Sequence, residues 1–513
     1  MADAQLSPSS GTAEIEPLHG IELGIAGFVL AMTNFVTVLD TTIANVSIPT
    51  IAGGLAVSPS QGTWVVTSYA VAEAITVPLT GWLAQRFGAV RTLCIAMLGF
   101  AACSLLCGLA VSLPMLVTCR VMQGICGGPM IPLSQTLLLR VFPKDKAGVA
   151  LGIWAMTTVV APILGPIFGG TLAESAGWPW VFYISVPIAV TCAAASWSLL
   201  HSRENPIVRE RIDYVGLALL IVWVGSLQIM LDKGSDSDWF DSSLIVTLAI
   251  IVVVGFAVFL IWELTETKPI VDLRVFRHRS FCISVAVMAL AFSLLFSTVV
   301  LFPLWLQTDL HYTSRWAGYA ASFTGIFAVL ISPLIGQVLL PRFDARLLVT
   351  FGIGGTALAS FWRGQFFTDI SFFWIVLPQL VHGLFVAFFF VPITSLALSS
   401  VGQRELASAA GLMNFLRTTA ASFGTSIMTT LWVDASASHR AALVSHITPS
   451  NGETTAALAV YARAGLSHPQ AVAALDLLVN QQAVMLATNQ IFLGTAALMI
   501  VAALVVWLVP KPG

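Results

Sequence analysis

Long apolar stretches alternate with short polar ones along almost the whole chain. A helix that spans a bilayer needs about 20 mostly apolar residues, and fourteen stretches meet this length. They lie near residues 24–46, 62–83, 92–112, 114–138, 147–171, 179–200, 213–231, 243–263, 281–306, 316–340, 347–367, 371–399, 408–432 and 488–509. The pattern predicts an all-α polytopic membrane protein of 14 transmembrane helices with both ends of the chain on one side.

Two short motifs occur twice, in the same order. Pro78-Leu79-Thr80-Gly81 recurs as Pro333-Leu334-Ile335-Gly336, an offset of 255 residues. Arg120-x-x-Gln123-Gly124 is echoed by Gln379-x-x-His382-Gly383, at an offset of 259. Parallel repeats of this kind are typical of transporters that alternate access around a site between the two halves.

The repeat predicts two six-helix bundles separated by two inserted helices. The predicted units are an N-terminal tail (1–23), a first bundle (24–200), a linker (201–280) and a second bundle (281–513) that includes a loop at 433–487. In that loop Pro469, after Ser467-His468, predicts the start of a helix that continues toward the last span.

Composition excludes a soluble protein. Hydrophobic residues make up 57% of the 513 residues and charged residues 9%, against about 25% charged in soluble domains. The net charge of −2, with scattered basic residues, gives no sign of nucleic-acid binding. The first 20 residues are polar and acidic, unlike a cleaved signal peptide, so the first span is expected to be retained.

The distribution of Lys and Arg predicts the orientation. Sixteen fall in the connections on the side of the N-terminus and five on the other side, where Lys233, Arg315, Arg363, Arg440 and Arg463 lie. Because cytoplasmic loops carry the excess of basic residues, both termini are predicted to be cytoplasmic. The acidic loop 232–241 and the loop 433–487 then lie outside.

Asp40 places a carboxylate inside the first apolar segment. A charge at membrane depth is costly and usually marks function. Arg120 of the fourth segment lies at a similar depth, so we predict an Asp40–Arg120 pair, either as a charge relay in transport or as a permanent lock between two helices. Asn34 and Thr37 belong to a polar stripe beside Asp40, which should face a cavity or another helix.

Glu73 is the second carboxylate within a span of the first half. Burial without a strong partner favours the neutral form of a carboxyl group, which would suit a proton carrier. The alternative is a neutral, hydrogen-bonded glutamic acid that only joins helices.

The second half carries a different set of polar residues at membrane depth: His382, Asn414 and Arg417. His382 could titrate or could be a hydrogen-bonded core histidine. Arg417 lies on the same helix face as Asn414, three residues apart, and is predicted either to contact substrate or to face an acid. Proton handling is therefore expected in the first half, where the acids are.

Helix five contains two prolines and glycines four residues apart, a pattern that favours bending and close helix contact. They are Pro162, Gly165, Pro166, Gly169 and Gly170. No nucleotide, hydrolase or metalloprotease motif is present, and no cysteine pair has zinc or redox spacing. We expect a transporter that needs no cofactor and is driven by an ion gradient.

Together these residues resemble the major facilitator superfamily, in particular its fourteen-helix drug:proton antiporter branch and the EmrB-type multidrug exporters. Leu39-Asp40-x-Thr42-Ile43-Ala44-Asn45 is similar to the first-helix motif of that branch. Gly81-x-Leu83-Ala84-Gln85-Arg86-x-Gly88 is similar to the loop motif of the superfamily, Arg120-x-x-Gln123-Gly124 to its fourth-helix motif, and Gly165-Pro166-x-x-Gly169-Gly170 to the antiporter motif.

Two departures stand out. The loop motif usually has Asp where this chain has Gln85, which weakens any charge lock on that side. The EmrB pattern usually has an uncharged residue at the position of Glu73. The resemblance implies a bacterial inner-membrane protein that works with an EmrA-like periplasmic adaptor and a TolC-like outer-membrane channel, with loop 433–487 as the docking candidate.

The sequence thus predicts export of small hydrophobic compounds in exchange for protons. Asp40, Glu73 and Arg120 are the proposed proton-coupling residues. Asn34, Thr37, Gln123, His382, Asn414 and Arg417 are the proposed substrate contacts. Two alternatives are export of one dedicated metabolite, such as a siderophore or an antibiotic, and a membrane sensor or scaffold that transports nothing.

Overall fold

The computed structural model describes residues 18, 20–143, 146–204, 207, 212–234, 237–402, 405–448 and 450–510. Within helices, the side chains at 59, 60, 159, 163, 166, 170, 174, 314 and 315 are outside this description. Most of the predicted tail 1–23, five residues of the charge count (Lys144, Arg209, Arg211, Arg404 and Lys511) and the side-chain positions of Arg315, Pro166 and Gly170 therefore lie outside the described residues.

In the described ranges all regular structure is helical. The first half contains α1 (Gly20–Val46), α2 (Ile48–Gly54), α3 (Pro59–Gly62), α4 (Trp64–Thr76), α5 (Thr80–Phe87), α6 (Ala89–Gly108), α7 (Leu113–Gly127), α8 (Met130–Val141), α9 (Ala147–Ser175), α10 (Trp180–Tyr183) and α11 (Ser185–Leu200). A short 3-10 helix, His201–Arg203, follows it.

The linker contains α12 (Tyr214–Lys233), α13 (Ser243–Thr265) and the 3-10 helices Trp239–Asp241 and Leu273–Arg277. The second half contains α14 (Arg279–Thr308), α15 (Ser314–Leu334), the π-helix Ile335–Leu339, α16 (Ala345–Arg363), α17 (Phe372–Ser399), α18 (Leu406–Ser445), α19 (Gly452–Arg463), α20 (His468–Val505) and a final 3-10 turn, Val506–Leu508.

Several helices begin at polar caps in the connections between apolar segments. The Asp213 carboxylate accepts the backbone N–H of Gly216 at the start of α12, and Asp344 accepts that of Arg346 at the start of α16. Ser467 and Gln470 form a capping box at the start of α20, with Pro469 in the first turn. These groups satisfy N–H donors that have no partner within the helix, and the predicted helix start at Pro469 is confirmed.

Ten of the described helices are long and apolar enough to cross a membrane, and a bent pair within α9, Ala147–Pro162 and Ile167–Ala173, brings the number to eleven. The bend of 44° lies where the sequence carries two prolines, which interrupt helical hydrogen bonding. The other three predicted spans are helical as well. The span 62–83 is divided into α4 and α5, the span 114–138 is divided into α7 and α8, and the span 408–432 is part of α18. The count of fourteen stays a prediction.

The predicted loop 433–487 is instead mostly helical. α18 continues to Ser445 and α20 begins at His468, with α19 between them. Arg440 Nη2 donates to Asp476 Oδ1 at 2.8 Å, joining the two long helices. We call residues 433–487 the hairpin, and the opposite side of the molecule, where Leu18 and Val509 lie, the terminal side.

The two halves contact each other on the terminal side. Gly81 of α5 lies against Ser408 of α18, and Gly336 of the π-helix lies against Gly148 of α9. Deeper in, Asn414 Nδ2 donates to Gln135 Oε1 across the halves at 3.0 Å. The repeat motif Pro-Leu-x-Gly therefore supplies one close contact from each half.

Candidate functional site

Asp40 lies at the centre of a closed polar cluster in the first half. Arg120 Nη1 donates to Asp40 Oδ2 at 2.6 Å, and Gln123 Nε2 donates to Asp40 Oδ1 at 3.0 Å. Arg120 and Gln123 also contact each other, at 2.8 Å, and Gln123 Nε2 donates to Ser104 Oγ at 2.7 Å. Asp40 is 2% exposed and Arg120 is 0% exposed. The predicted Asp40–Arg120 pair is present.

The rest of the Arg120 side chain binds to α4 and to aromatic rings. Its Nε donates to the Val65 carbonyl at 2.9 Å, and its Cζ lies 4.3 Å from the Tyr69 ring centre and 5.5 Å from that of Phe182. The cluster thus joins α1, α4, α6 and α7. Because a buried cation and anion stabilise each other only while both are charged, a proton on Asp40 would weaken this junction.

Glu73 is positioned one turn after Tyr69 on α4. The Tyr69 hydroxyl donates to Glu73 Oε1 at 3.5 Å, and Glu73 is partly exposed rather than fully buried. Its charge interacts with Arg120, Asp40 and Arg417. Glu73 therefore lies between the Asp40 cluster of the first half and a cation of the second half.

Arg417 is surrounded by aromatic rings at the interface of the two halves. Its Cζ lies 5.3 Å from the centre of Phe292, 5.7 Å from Phe390 and 5.7 Å from Trp154. Such rings attract a cation through their negative faces. Asn414, three residues earlier, contacts Gln135 of the first half. The predicted polar pair of α18 thus lies where the halves meet.

The other predicted contacts of the first half are distributed over two sites. Asn34 Nδ2 donates to the hydroxyls of Thr157 and Thr158 on α9, both at 2.8 Å. Thr37 is buried and donates to the Thr33 carbonyl at 3.0 Å. Gln123 belongs to the Asp40 cluster described above. Roles in substrate contact for these three residues stay predictions.

His382 belongs to a second polar cluster, which also contains Arg363, a residue that the sequence analysis placed in a loop. Arg363 Nη2 lies 2.5 Å from Gln379 Oε1 and 2.5 Å from His382 Nδ1. Counting Arg363 among the loop residues was wrong, because it is the last residue of α16 and is 1% exposed. The internal repeat could have indicated the position of Arg363. The offset of 259 residues that relates Arg120 to Gln379 also relates Ser104, a member of the Asp40 cluster, to Arg363.

The motif glycines pack helices together. A Cβ on Gly165 would lie 2.2 Å from Thr42 Oγ1, and one on Gly169 would lie 3.1 Å from the Ile43 carbonyl, so α9 lies directly on α1. Pro162 lines a cavity of the second half. These residues set the distance between helices and contribute little polar chemistry.

The loop motif ends at Gly88, which has a φ of +94° and is followed by α6. The Glu204 carboxylate accepts the backbone N–H groups of Val90 and Arg91, at 3.0 and 2.9 Å. Gln85 and Arg86 are partly exposed at the end of α5. Glu204, which follows α11 and which the sequence analysis did not single out, therefore provides negative charge at this loop in a chain that has Gln85 instead of Asp.

Comparisons with known proteins agree with this architecture. The sequence profile of the Major Facilitator Superfamily matches residues 30–425. Multidrug export protein EmrB of Haemophilus influenzae is 45% identical over 497 residues, 97% of each chain. Fatty acid resistance protein FarB of Neisseria gonorrhoeae is 43% identical over 496 residues, 97% of this chain and 98% of the relative.

The fold is also that of a solved transporter. The structure of the proton:xylose symporter XylE bound to 6-bromo-6-deoxy-D-glucose has a TM-score of 0.58 at 14% identity and covers 96% of both chains. With the helical halves and the buried charge cluster, these similarities identify a multi-pass membrane transporter rather than an enzyme. The chain belongs to the major facilitator superfamily, in the group of the EmrB-type export proteins.

Proposed function

We propose that this chain exports hydrophobic, chemically diverse compounds across a bacterial inner membrane, in exchange for protons. The observation that carries the proposal is the Asp40–Arg120 pair, a carboxylate buried inside a transporter fold and held by one cation and one amide. The name of the 45% identical relative, a multidrug export protein, supports the breadth of cargo. Both termini are cytoplasmic in this proposal.

Proton coupling follows from what protonation does to the cluster. A proton that enters from outside neutralises Asp40, and Arg120 then loses its anionic partner. The junction of α1, α4, α6 and α7 weakens, which favours the rearrangement that turns the cavity inward. Loss of the proton to the cytoplasm restores the pair. Coupling requires that cargo and proton do not bind to the same conformation of the transporter at the same time.

Glu73 is the second candidate for the proton. It lies between Tyr69 and the interface with the second half, where its charge interacts with that of Arg417. A proton on Glu73 would remove an attraction between the halves rather than within one half. The two carboxylates therefore act on different contacts, and their substitution should have different effects.

The test is drug-driven proton movement in everted membrane vesicles. We expect Asp40→Asn to abolish proton-coupled efflux and Glu73→Gln to reduce it at least about tenfold, with Asp241→Asn, an exposed aspartate of the linker, as the matched control at full activity. Full coupling in both the Asp40→Asn and the Glu73→Gln variants would contradict the proposal. Mutual competition among unrelated drugs would separate broad export from export of a single metabolite.

We also propose that the hairpin docks an EmrA-like periplasmic adaptor, which links the chain to a TolC-like outer-membrane channel. The support is the shape of the hairpin, in which α18 and α20 extend beyond their predicted membrane spans and carry α19 at the tip. Export through such a channel would keep hydrophobic cargo from re-entering the inner membrane.

A further inference from the structure

The linker helix α12 is bonded to α4 of the first half at its end on the side of the hairpin. Lys233 Nζ donates to Thr63 Oγ1 at 2.7 Å, just before α4 begins, and the Thr67 hydroxyl donates to the Asp232 carboxylate. The Lys233 ammonium also lies 5.6 Å from the ring centre of Trp64. Hydrogen bonds that involve a charged group are stronger than neutral ones, so this end of α12 is firmly held on α4.

The same part of α12 is also bonded to α18 of the second half. Gln228 Nε2 donates to Ser422 Oγ at 3.3 Å, and Ser426 Oγ donates to the Leu231 carbonyl at 2.6 Å. All of these contacts are between neutral groups. A helix that the sequence places between the two halves therefore joins one helix of each half.

The hydroxyl groups of α18 have a second partner within their own helix. Trp239, in the connection after α12, donates its indole N–H to Thr430 Oγ1 at 2.8 Å, while the Thr430 hydroxyl donates to the Ser426 carbonyl at 3.0 Å. The Ser422 hydroxyl likewise donates to the Thr418 carbonyl, at 3.2 Å. If α12 moved away, these two hydroxyls would keep a hydrogen bond inside α18. The contact with α18 is thus the one that can open at low cost.

On the terminal side α4 and α18 meet without α12 between them. A Cβ on Gly411 of α18 would lie 3.0 Å from the Val77 carbonyl at the end of α4. Farther from that side α12 packs on α4, where a Cβ on Gly225 would lie 3.8 Å from Val71 Cγ1. Alternating access rocks one half against the other, which changes the distance between α4 and α18. α12 cannot keep both sets of contacts through this motion.

We propose that α12 moves with the first half and releases α18 once in each transport cycle. α12 thereby holds α18 in position while the halves are in contact on the terminal side. Because α18 carries Asn414 and Arg417, the release would also change the position of these side chains relative to the first half. The proposal rests on the export function above and names the contact that opens during transport.

Reversible cross-links test which contact has to open. Purified full-length protein with one introduced cysteine pair is treated with a short bis-methanethiosulfonate reagent and reconstituted into liposomes. Transport of two lipophilic dyes, the cationic ethidium and the uncharged Nile red, is followed under an imposed proton gradient, before and after the link is cleaved with dithiothreitol. Wild type treated in the same way is the control for reaction of the native cysteines.

The two cysteine pairs should behave differently. Gln228→Cys with Ser422→Cys links α12 to α18, and the link should reduce transport at least about tenfold, because it blocks the motion of the halves. Transport should return when the link is cleaved. Val71→Cys with Gly225→Cys links α12 to α4, and transport should stay within about twofold of the unlinked variant, because these helices move together.

A second pair across the contact with α18, Trp239→Cys with Thr430→Cys, should behave like the first, so the result does not depend on one variant. Full transport by both linked α12–α18 variants would overturn the proposal, since α18 would then work without leaving α12. An equal loss in the α12–α4 variant would overturn it too, since α12 would not move with the first half. Either result would leave the export function standing. Absence of transport of any lipophilic drug by wild type would contradict that function and this proposal with it.

Discussion

Asp40 and Arg120 are fully enclosed, so each is the other's main compensation for leaving water. Removing one partner of a buried pair costs about 3–5 kcal/mol, whereas removing both can cost little. The two side chains stabilise the fold only when both are present. The loss of stability in each single variant therefore depends on which partner remains buried. Asparagine at position 40 can still accept a hydrogen bond from Arg120, whereas an apolar residue at position 120 leaves the charged Asp40 without a cation.

We expect Arg120→Met to lower the melting temperature sharply, because Asp40 is left buried without a cation, and the double variant Asp40→Asn, Arg120→Met to recover most of the loss. The measurement is thermal unfolding of detergent-solubilised protein. The exposed Arg440–Asp476 pair is the matched control, since Arg440→Met should change stability by about 1 kcal/mol or less. A double variant no more stable than Arg120→Met would show that the pair is not the coupled unit.

At the scale of residues, the sequence predicted a contact where charged residues lie inside apolar segments at a similar membrane depth. Asp40 and Arg120 are isolated charges inside apolar runs, so their pairing could be predicted. Arg363 could not, because it ends an apolar segment and is followed by Gly364 and Gln365, a pattern typical of a loop. Its burial depends on α17 and α20 packing over it, which no local pattern records.

At the scale of the helices, the close contacts between the two halves on the terminal side depend on glycine residues. A Cβ on Gly81 would lie 2.1 Å from Ser408 Oγ and 2.9 Å from Ser408 Cα. The second distance involves backbone, which cannot move aside without displacing α18. Closure of the two halves on this side therefore tolerates nothing larger than glycine at this position.

Gly81→Ala should separate the halves on the terminal side and reduce transport at least about tenfold. The separation would appear as a longer distance between spin labels at Phe87 and Gly402, two exposed positions on this side, by double electron–electron resonance. Gly354→Ala is the matched control, because a Cβ there meets nothing within 4 Å. An unchanged distance distribution in Gly81→Ala would contradict this account of closure.

Helix boundaries were predictable where apolar length or a cap marks them, as at Pro469. The continuation of α18 to Ser445 was not, since the residues after Trp432 are mainly small or polar and carry no apolar run. That part of α18 is stabilised by its neighbour α20, through contacts such as Arg440–Asp476 and the Trp432 Nε1–H bond to Thr488 at 2.9 Å. A local sequence pattern does not show contacts between residues that are far apart in the chain.

In the whole molecule, the two halves share one plan but differ in how their buried charges are compensated. The repeat predicted the two bundles, and the superfamily fold is confirmed. In the first half the buried Asp40 is paired with Arg120. In the second half the buried Arg363 and Arg417 lie among aromatic rings, and the buried Asp309 accepts a hydrogen bond from Trp305. Only the first half therefore has a buried acid paired with a buried arginine among the described residues.

One prediction concerns the molecule together with its envelope partners. Replacing residues 446–467 of the hairpin by a short Gly-Ser linker should leave efflux from vesicles within about twofold of wild type, because the membrane helices are intact. The same replacement should abolish drug resistance in cells that contain the adaptor and channel. The measurements are vesicle transport and inhibitory drug concentrations.

A host without the adaptor is the control for that replacement, since both forms of the chain should then give the same low resistance. Undiminished resistance of the shortened chain in the complete host would exclude the hairpin as the docking site. Loss of vesicle transport would instead show that residues 446–467 are needed for folding of the second half.

The length of α18 has a mechanical consequence. The helix has 40 residues, about 60 Å at 1.5 Å per residue, twice the hydrocarbon thickness of about 30 Å. The part of α18 in the hairpin, residues 433–445, is about 20 Å long at 1.5 Å per residue. A tilt of the helix by about 10° about the membrane surface would move its tip by about 3 Å. Because α18 also makes the Gly81 contact on the terminal side, it acts as a lever. A protein seated on the hairpin could sense, by displacement alone, which way the transporter faces.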